Sequence, residues 1–202
     1  MGGPSASVLL RERLSASQLD QIDQAIRLVS DRIVPGEGPC SDFWVNDLRP
    51  LGGSYVGAGR PCGLGFYAPD DRMGTLVQWD PGQMPVFVAE FGFAPQQAVS
   101  LDAFCNSSED HAILGRLTLY VAELTGGLVD FGGAILPRLP KEVHTDGWQD
   151  VEPYYTAMAR EMPGRIVSFP YETARGTIWA SHVADAAFLR AWLAHPDFHM
   201  IK

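Results

Sequence analysis

The stretch "ELTGGLVDFGGAI", Glu123–Ile135, places two glycine pairs on either side of a short apolar segment. Upstream of it, Ile113, Leu117, Tyr120 and Leu124 recur at spacings of three and four, the stripe of a helix with one buried face. Gly126 or Gly127 then falls where a helix C-terminus takes a left-handed residue. "LVDF" restarts as a strand, and Gly132-Gly133 closes it. A helix end and a strand turn therefore account for all four glycines without a ligand.

Working outward, Asn106 or Ser107 caps that helix, with Glu109 and Asp110 in the first turn where the macrodipole favours anions. An earlier helix opens on the capping box Ser15–Gln18, with Leu14 and Leu19 as the staple around it. Its stripe runs through Leu19, Ile22, Ile26, Val29 and Ile33, and Pro35-Gly36 ends it. Strands are expected at Ser7–Leu14, Ser41–Leu48, Cys62–Ala68, Thr75–Trp79 and Val86–Phe93. In the third of these, Cys62, Leu64, Phe66 and Ala68 share one face, with Gly63, Gly65 and Tyr67 on the other. In the last, Phe87, Ala89, Phe91 and Phe93 alternate onto one face.

Beyond the opening stretch, Pro137–Val151 reads as a loop and a short helix runs from Glu152 or Pro153 to Glu161. "RIVSFPYE" and "GTIWASHV" form a hairpin, and a final helix carrying Phe188, Leu189, Trp192 and Leu193 stops before Pro196. The order predicts an α+β fold: one mostly antiparallel sheet with helices packed on a face, compatible with an elaborated split βαβ arrangement. A single domain over 1–202 is expected, with 137–202 as a candidate C-terminal subdomain.

Bulk properties narrow the function. At 46% hydrophobic and 19% charged, the chain is expected to fold as a soluble globular protein. No apolar run approaches the roughly 20 residues that cross a bilayer. "MGGPSASVLL" lacks the basic start of a secretion signal, and Ala6 stands where a myristoylation site needs Ser or Thr, so a cytoplasmic location is expected. The net charge of −9 repels phosphate backbones, favours a basic partner and argues against nucleic acid. Cys40, Cys62 and Cys105 are odd in number and widely spaced, which suits neither disulfides nor zinc.

Candidate chemistry is sparse. "GLGFYA" satisfies G-x-G-x-x-A, but Pro61 before it and Pro69 after it leave no helix to meet a pyrophosphate. "GGSYVG" comes near a nucleophile elbow but has Val56 where the second glycine belongs. His195 and His199 are four apart with Pro196 between them, and no third metal ligand is near. His182 reads as a structural histidine, and Cys105 with His111 would form a nucleophile–base pair only if the fold joined them. Glu90 and Asp130, acids inside apolar runs, must face solvent, pair with Arg or share a site. No cofactor and no metal is expected. Aromatic residues beside acids form a better surface: Trp79 and Asp80, then Asp146, Trp148, Asp150 and Glu152.

Two resemblances add to this. "RPCGLG", Arg60–Gly65, resembles the R-x-x-G-x-G loop of acetyl-coenzyme A-dependent N-acetyltransferases, which implies a small acyltransferase as the alternative function. "ILGRLTLYVAELTGGLVDFGG" together with "WASHVADAAFLRAWLAHPDFHMIK" resembles a family of small uncharacterised bacterial proteins, and is similar in style to immunity proteins of polymorphic toxin systems. That resemblance implies a non-catalytic inhibitor covering the active site of a cognate, basic toxin domain. A ligand-binding module without catalysis is the third reading.

Overall fold

The computed structural model describes residues 2–36, 40–68, 82–143 and 145–202. In chain order the elements are β1 (Ser5–Leu10), α1 (Ala16–Val29), β2 (Ser30–Pro35), β3 (Cys40–Asp47) and β4 (Val56–Tyr67). There follow α2 (Gln83–Phe91), β5 (Gln97–Ala103), α3 (Ser108–Thr125), β6 (Leu128–Asp130), α4 (Trp148–Glu161), β7 (Ile166–Glu172), β8 (Ile178–Ala184) and α5 (Ala186–Trp192). The fold is α+β, as the pattern predicts.

Local signals place the helix ends. The Ser15 hydroxyl accepts from the Gln18 amide at 3.2 Å while the Gln18 side chain accepts from the Ser15 amide at 3.0 Å, closing the capping box of α1. Ser107 and Asp110 do the same for α3. At its far end Gly126 adopts φ 65°, and Gly132 adopts φ 67° after β6. A Cβ on Gly127 would lie 2.6 Å from Val8, and one on Gly133 2.8 Å from Ile201. Turn geometry and close packing account for all four glycines of the opening stretch.

Several boundaries differ from the sequence pattern: β1 already ends at Leu10, and β4 begins at Val56, six residues before the expected start. The first helix stops at Val29 and the chain enters β2 directly, because Ser30 turns extended (φ −127°, ψ 139°) and pairs with Val45. Val86–Phe93, expected as a strand, belongs to α2 and its C-cap. Phe87 and Phe91 are two apart in alternation terms but also four apart in sequence, so they share a helix face as readily as a strand face. Pro85 sits in the first turn, where its missing amide costs nothing, and Gly92 ends the helix at φ 75°. Gln97–Ala103, unassigned by pattern, is the central strand β5. Finally α4 begins at Trp148, several residues before the expected start. The strand expected at Thr75–Trp79 lies outside the described residues.

The eight strands form one sheet in the order β2-β3-β4-β5-β1-β6-β8-β7, with every neighbouring pair antiparallel. Three connections join parallel strands that are not neighbours: β1–α1–β2, β5–α3–β6 and β6–α4–β7. The last two are split βαβ units with one strand inserted, and the first has three. β1 runs opposite to β5 and β6, and its connection moves the opposite way along the sheet. One handedness of crossover therefore puts α1, α3 and α4 on the same face. By contrast, α2 links the antiparallel neighbours β4 and β5, where that rule does not apply.

The burial follows. Val8, Leu10, Phe43, Val45, Leu64 and Leu101 face the large core beneath α1, α3, α4 and α5. Leu9 alternates to the opposite face and joins Phe87, Ala98, Phe169 and Val183 beneath α2. Phe87 lies 4.8 Å from the Phe91 ring and 5.4 Å from Phe93, and its full burial contributes roughly 1.5–3 kcal/mol.

His182, on β8, is fully buried in the large core. Its ring stacks on Tyr155 at 4.2 Å and meets the Trp148 edge at 5.3 Å. Nδ1 accepts from the Ile135 amide at 2.9 Å, which leaves the proton on Nε2, and Nε2 has no partner among the described residues. The histidine is structural as expected, but only half satisfied. Burial pushes its pKa down to about 3. Below the usual histidine range the unfolded chain takes up a proton that the folded chain refuses until about pH 3, so stability falls as pH drops through that window. Urea titrations at pH 4–7 should show wild type losing up to about 1.4 kcal/mol more per pH unit than His182→Gln, which keeps an acceptor but cannot titrate. Parallel pH profiles would contradict this burial.

Candidate functional site

The second face of the sheet is covered by α2 over Leu9, Ala98, Phe169 and Val183. Among the described residues, no helix packs on its other end, where β2, β3, β4 and the near half of β5 turn their second faces outward. Register sets what is displayed there. Asp42, Gly63, Asp102 and Ser5 are cross-strand neighbours in one row, and Cys40, Gly65, Ser100, Ser7 and Asp130 in the next.

The two glycines form the floor of this surface. A Cβ on Gly63 would come 3.1 Å from the Phe104 ring, and one on Gly65 would come 2.8 Å from Tyr67. Both rings approach bare backbone and both glycines are buried, a known use of glycine within strands. Trp44 stands beside Gly59 and carries the Arg32 guanidinium at 4.1 Å over its ring. Phe104 remains 45% exposed, high for a phenylalanine fixed in place on a sheet.

The polar groups have distinct environments. Burial raises the Asp102 carboxyl, offset in part by the Ser100 hydroxyl donating at 3.4 Å. The Tyr67 hydroxyl meets the Cys40 sulfur at 3.5 Å, and that bond, with burial, pushes its pKa up to about 12. Cys62, on the core side of β4, is pushed up to about 12 by burial and is a poor nucleophile. Asp130 is 5% exposed, and its Oδ1 accepts from the Gly132 amide at 2.9 Å. Among the described residues, no group of three His, Cys, Asp or Glu is placed to hold a metal.

The residues singled out from sequence are scattered elsewhere. Trp79 and Asp80 lie outside the described residues. Trp148 is not an exposed anchor: it is 7% exposed and packs against the stacked pair Tyr155 and His182. Asp150 is taken up in capping α4, accepting from the Asp146 and Gly147 amides at 3.1 Å each. Asp146 and Glu152 are exposed on that same helix end. Arg60–Gly65, whose resemblance to an acetyltransferase loop carried the alternative reading, lies wholly within β4 and pairs with β3 and β5. Glu90 is on α2 and pairs with Arg165 at 2.6 Å, one of the alternatives open to it, so the neighbouring strands that a shared site with Asp130 would require are not formed. His111 accepts from the Met200 amide at 2.9 Å and bonds Asn106 at 3.1 Å, so its ring is occupied without Cys105.

Residues 2–202 match the model of a family described as a family of unknown function, DUF6368. The chain belongs to that family. No curated protein and no solved structure matches it significantly. The family's description carries no activity, so function has to be read from the surface itself.

Phe104 and Asp102 had a usable signal in "SLDAF": an alternating run that places an acid and a ring on one face. That signal becomes legible only once β5 is recognised. A raised carboxyl costs the fold: below its folded pKa the native state gains a proton, and that gain is lost as pH rises past it. At pH 7 Asp102→Asn should therefore raise stability, by roughly 0.5 kcal/mol or 1–2 °C in Tm. A fall in Tm by calorimetry would contradict this description of the carboxylate.

Proposed function

We propose that the chain is a non-catalytic binding protein that neutralises a basic partner domain in the cytoplasm, in the manner of an immunity protein covering a toxin's active site. The observation that carries this reading is the open sheet face, where Trp44, Tyr67 and Phe104 stand beside Asp42 and Asp102. Rings held on a glycine floor are ordered before a partner arrives, so little rotamer freedom is lost on docking. Aromatic anchors with nearby polar groups are the composition of binding hot spots.

Charge supplies the choice of partner. A net charge of −9 speeds encounter with a basic surface, and Asp42 and Asp102 set its register once docked. With Trp148 in the core, Asp146 and Glu152 keep a role in long-range steering without an aromatic anchor of their own. Arg32 is occupied by the Trp44 ring, which leaves the carboxylates to face the partner.

The test uses titration calorimetry against basic candidate domains, beginning with the product of the neighbouring open reading frame. A one-to-one complex that weakens with added salt is expected. Phe104→Ala should cost about 2 kcal/mol of binding, near 30-fold, and Asp102→Asn should weaken binding although it stabilises the fold. Asp146→Asn should change the affinity little. Wild-type affinity in both Phe104→Ala and Asp102→Asn, or no complex at all, contradicts the proposal.

A further inference from the structure

On the helical side of the molecule, a partly open cavity of about 620 Å³ lies between the Gly52–Val56 turn, α3 and the segment after α5. One wall is Gly52–Val56 of "GGSYVG", the stretch that comes near a nucleophile elbow in sequence and plays no part in the open sheet face. Three glycines bring its walls together. Gly52 adopts φ 72°, and a Cβ on Gly53 would sit 2.4 Å from the Leu48 side chain. On α3, a Cβ on Gly115 would come 2.8 Å from both Leu193 and Phe198, the residues that close the far wall.

Among the described residues, one cation lines this space, and it has no counter-ion there. Arg116 is half-buried and lines the cavity, and no carboxylate lies within 4 Å of it among the described residues. The acids nearest on α3 are turned to another partner: Arg60 lies 3.8 Å from Glu109 and 3.7 Å from Asp110. The spacing from Glu109 to Arg116 is seven residues, two helical turns or about 10 Å, so both side chains lie on the same helix face. Other half-exposed arginines are matched, Arg165 to Glu90 and Arg190 to Glu123 at 2.6 Å each. An unmatched guanidinium beside Leu48, Ala112, Leu193 and Phe198 lacks the charge-assisted partner that such a wall otherwise rewards.

We propose that this cavity binds a small organic acid: a single carboxylate on Arg116, with an apolar body against Leu48, Leu193 and Phe198. A planar guanidinium suits a carboxylate through two parallel hydrogen bonds. Glu109 on the same lining disfavours a phosphate dianion, which would need more than one cation here. The site lies apart from the open sheet face, so its failure leaves the partner-binding proposal standing.

The test is an NMR titration of the full chain with octanoate and phenylacetate, following the Arg116 side-chain Nε–H and the Gly52–Val56 amides. Octanamide, equally apolar but uncharged, is the control. Saturable shifts with either acid are expected, weakened roughly tenfold or more in Arg116→Gln and for octanamide, with partial recovery in Arg116→Lys. Ala112→Phe, which fills the cavity and keeps the charge, should also abolish the shifts. Equal binding of octanamide and octanoate, wild-type affinity in a folded Arg116→Gln, or no shift with either acid up to about 10 mM overturns the proposal.

Discussion

Crossover handedness organises this molecule. Parallel strands joined through a helix connect with one hand, and here three such connections share a single sheet. Because β1 runs against β5 and β6 and its connection travels the other way, the same hand delivers α1, α3 and α4 to the same face. That face is thickly covered, and Val8, Phe43, Leu101 and Trp192 are all buried beneath it. Among the described helices, α2, which joins antiparallel neighbours, lies on the opposite face. It caps part of the second face and leaves the β2–β4 end uncovered by any described helix. The surface proposed to bind a partner is thus a consequence of topology.

The glycines of β4 complete that surface. An ordinary strand would offer side chains at positions 63 and 65 and hold neighbouring rings away from the backbone. With bare backbone there, the Phe104 and Tyr67 rings come close enough to occupy the space a Cβ would need. The same residues explain why a nucleotide-like glycine pattern misleads: the amides of Gly63 and Gly65 belong to a ladder with strands on both sides. Asp102 carries the opposite cost, a carboxyl raised by burial that the Ser100 hydroxyl offsets only in part. Destabilisation kept at a surface site is a common price of function.

Much of the architecture was legible from local signals. The Ser15 and Ser107 caps, the αL glycine at 126, the terminal hairpin and the last helix each depend on residues a few positions apart. What failed depended on ambiguity or distance. Phe87 and Phe91 satisfy period two and spacing four alike, and only Pro85 and Gly92 favour a helix there. Val29 and Ile33 continue a helical stripe across a boundary fixed by pairing with β3. Trp148 in "HTDGWQDVEPYY" has polar adjacent residues but aromatic spatial ones, Tyr155 two turns along the same helix and His182 from distant β8. The open face was the least readable, because Asp42, Asp102 and Phe104 meet only through strand register.

Hydroxyl-radical footprinting of the free chain tests the open face most directly, since it reads the accessibility of individual rings. Oxidation of Phe104, Trp44 and Tyr67 is expected at rates approaching that of exposed Tyr171, with Phe87, Phe169 and Trp148 protected. If Phe104 and Trp44 were as protected as Phe169, the face would be covered and the account built on it would be wrong.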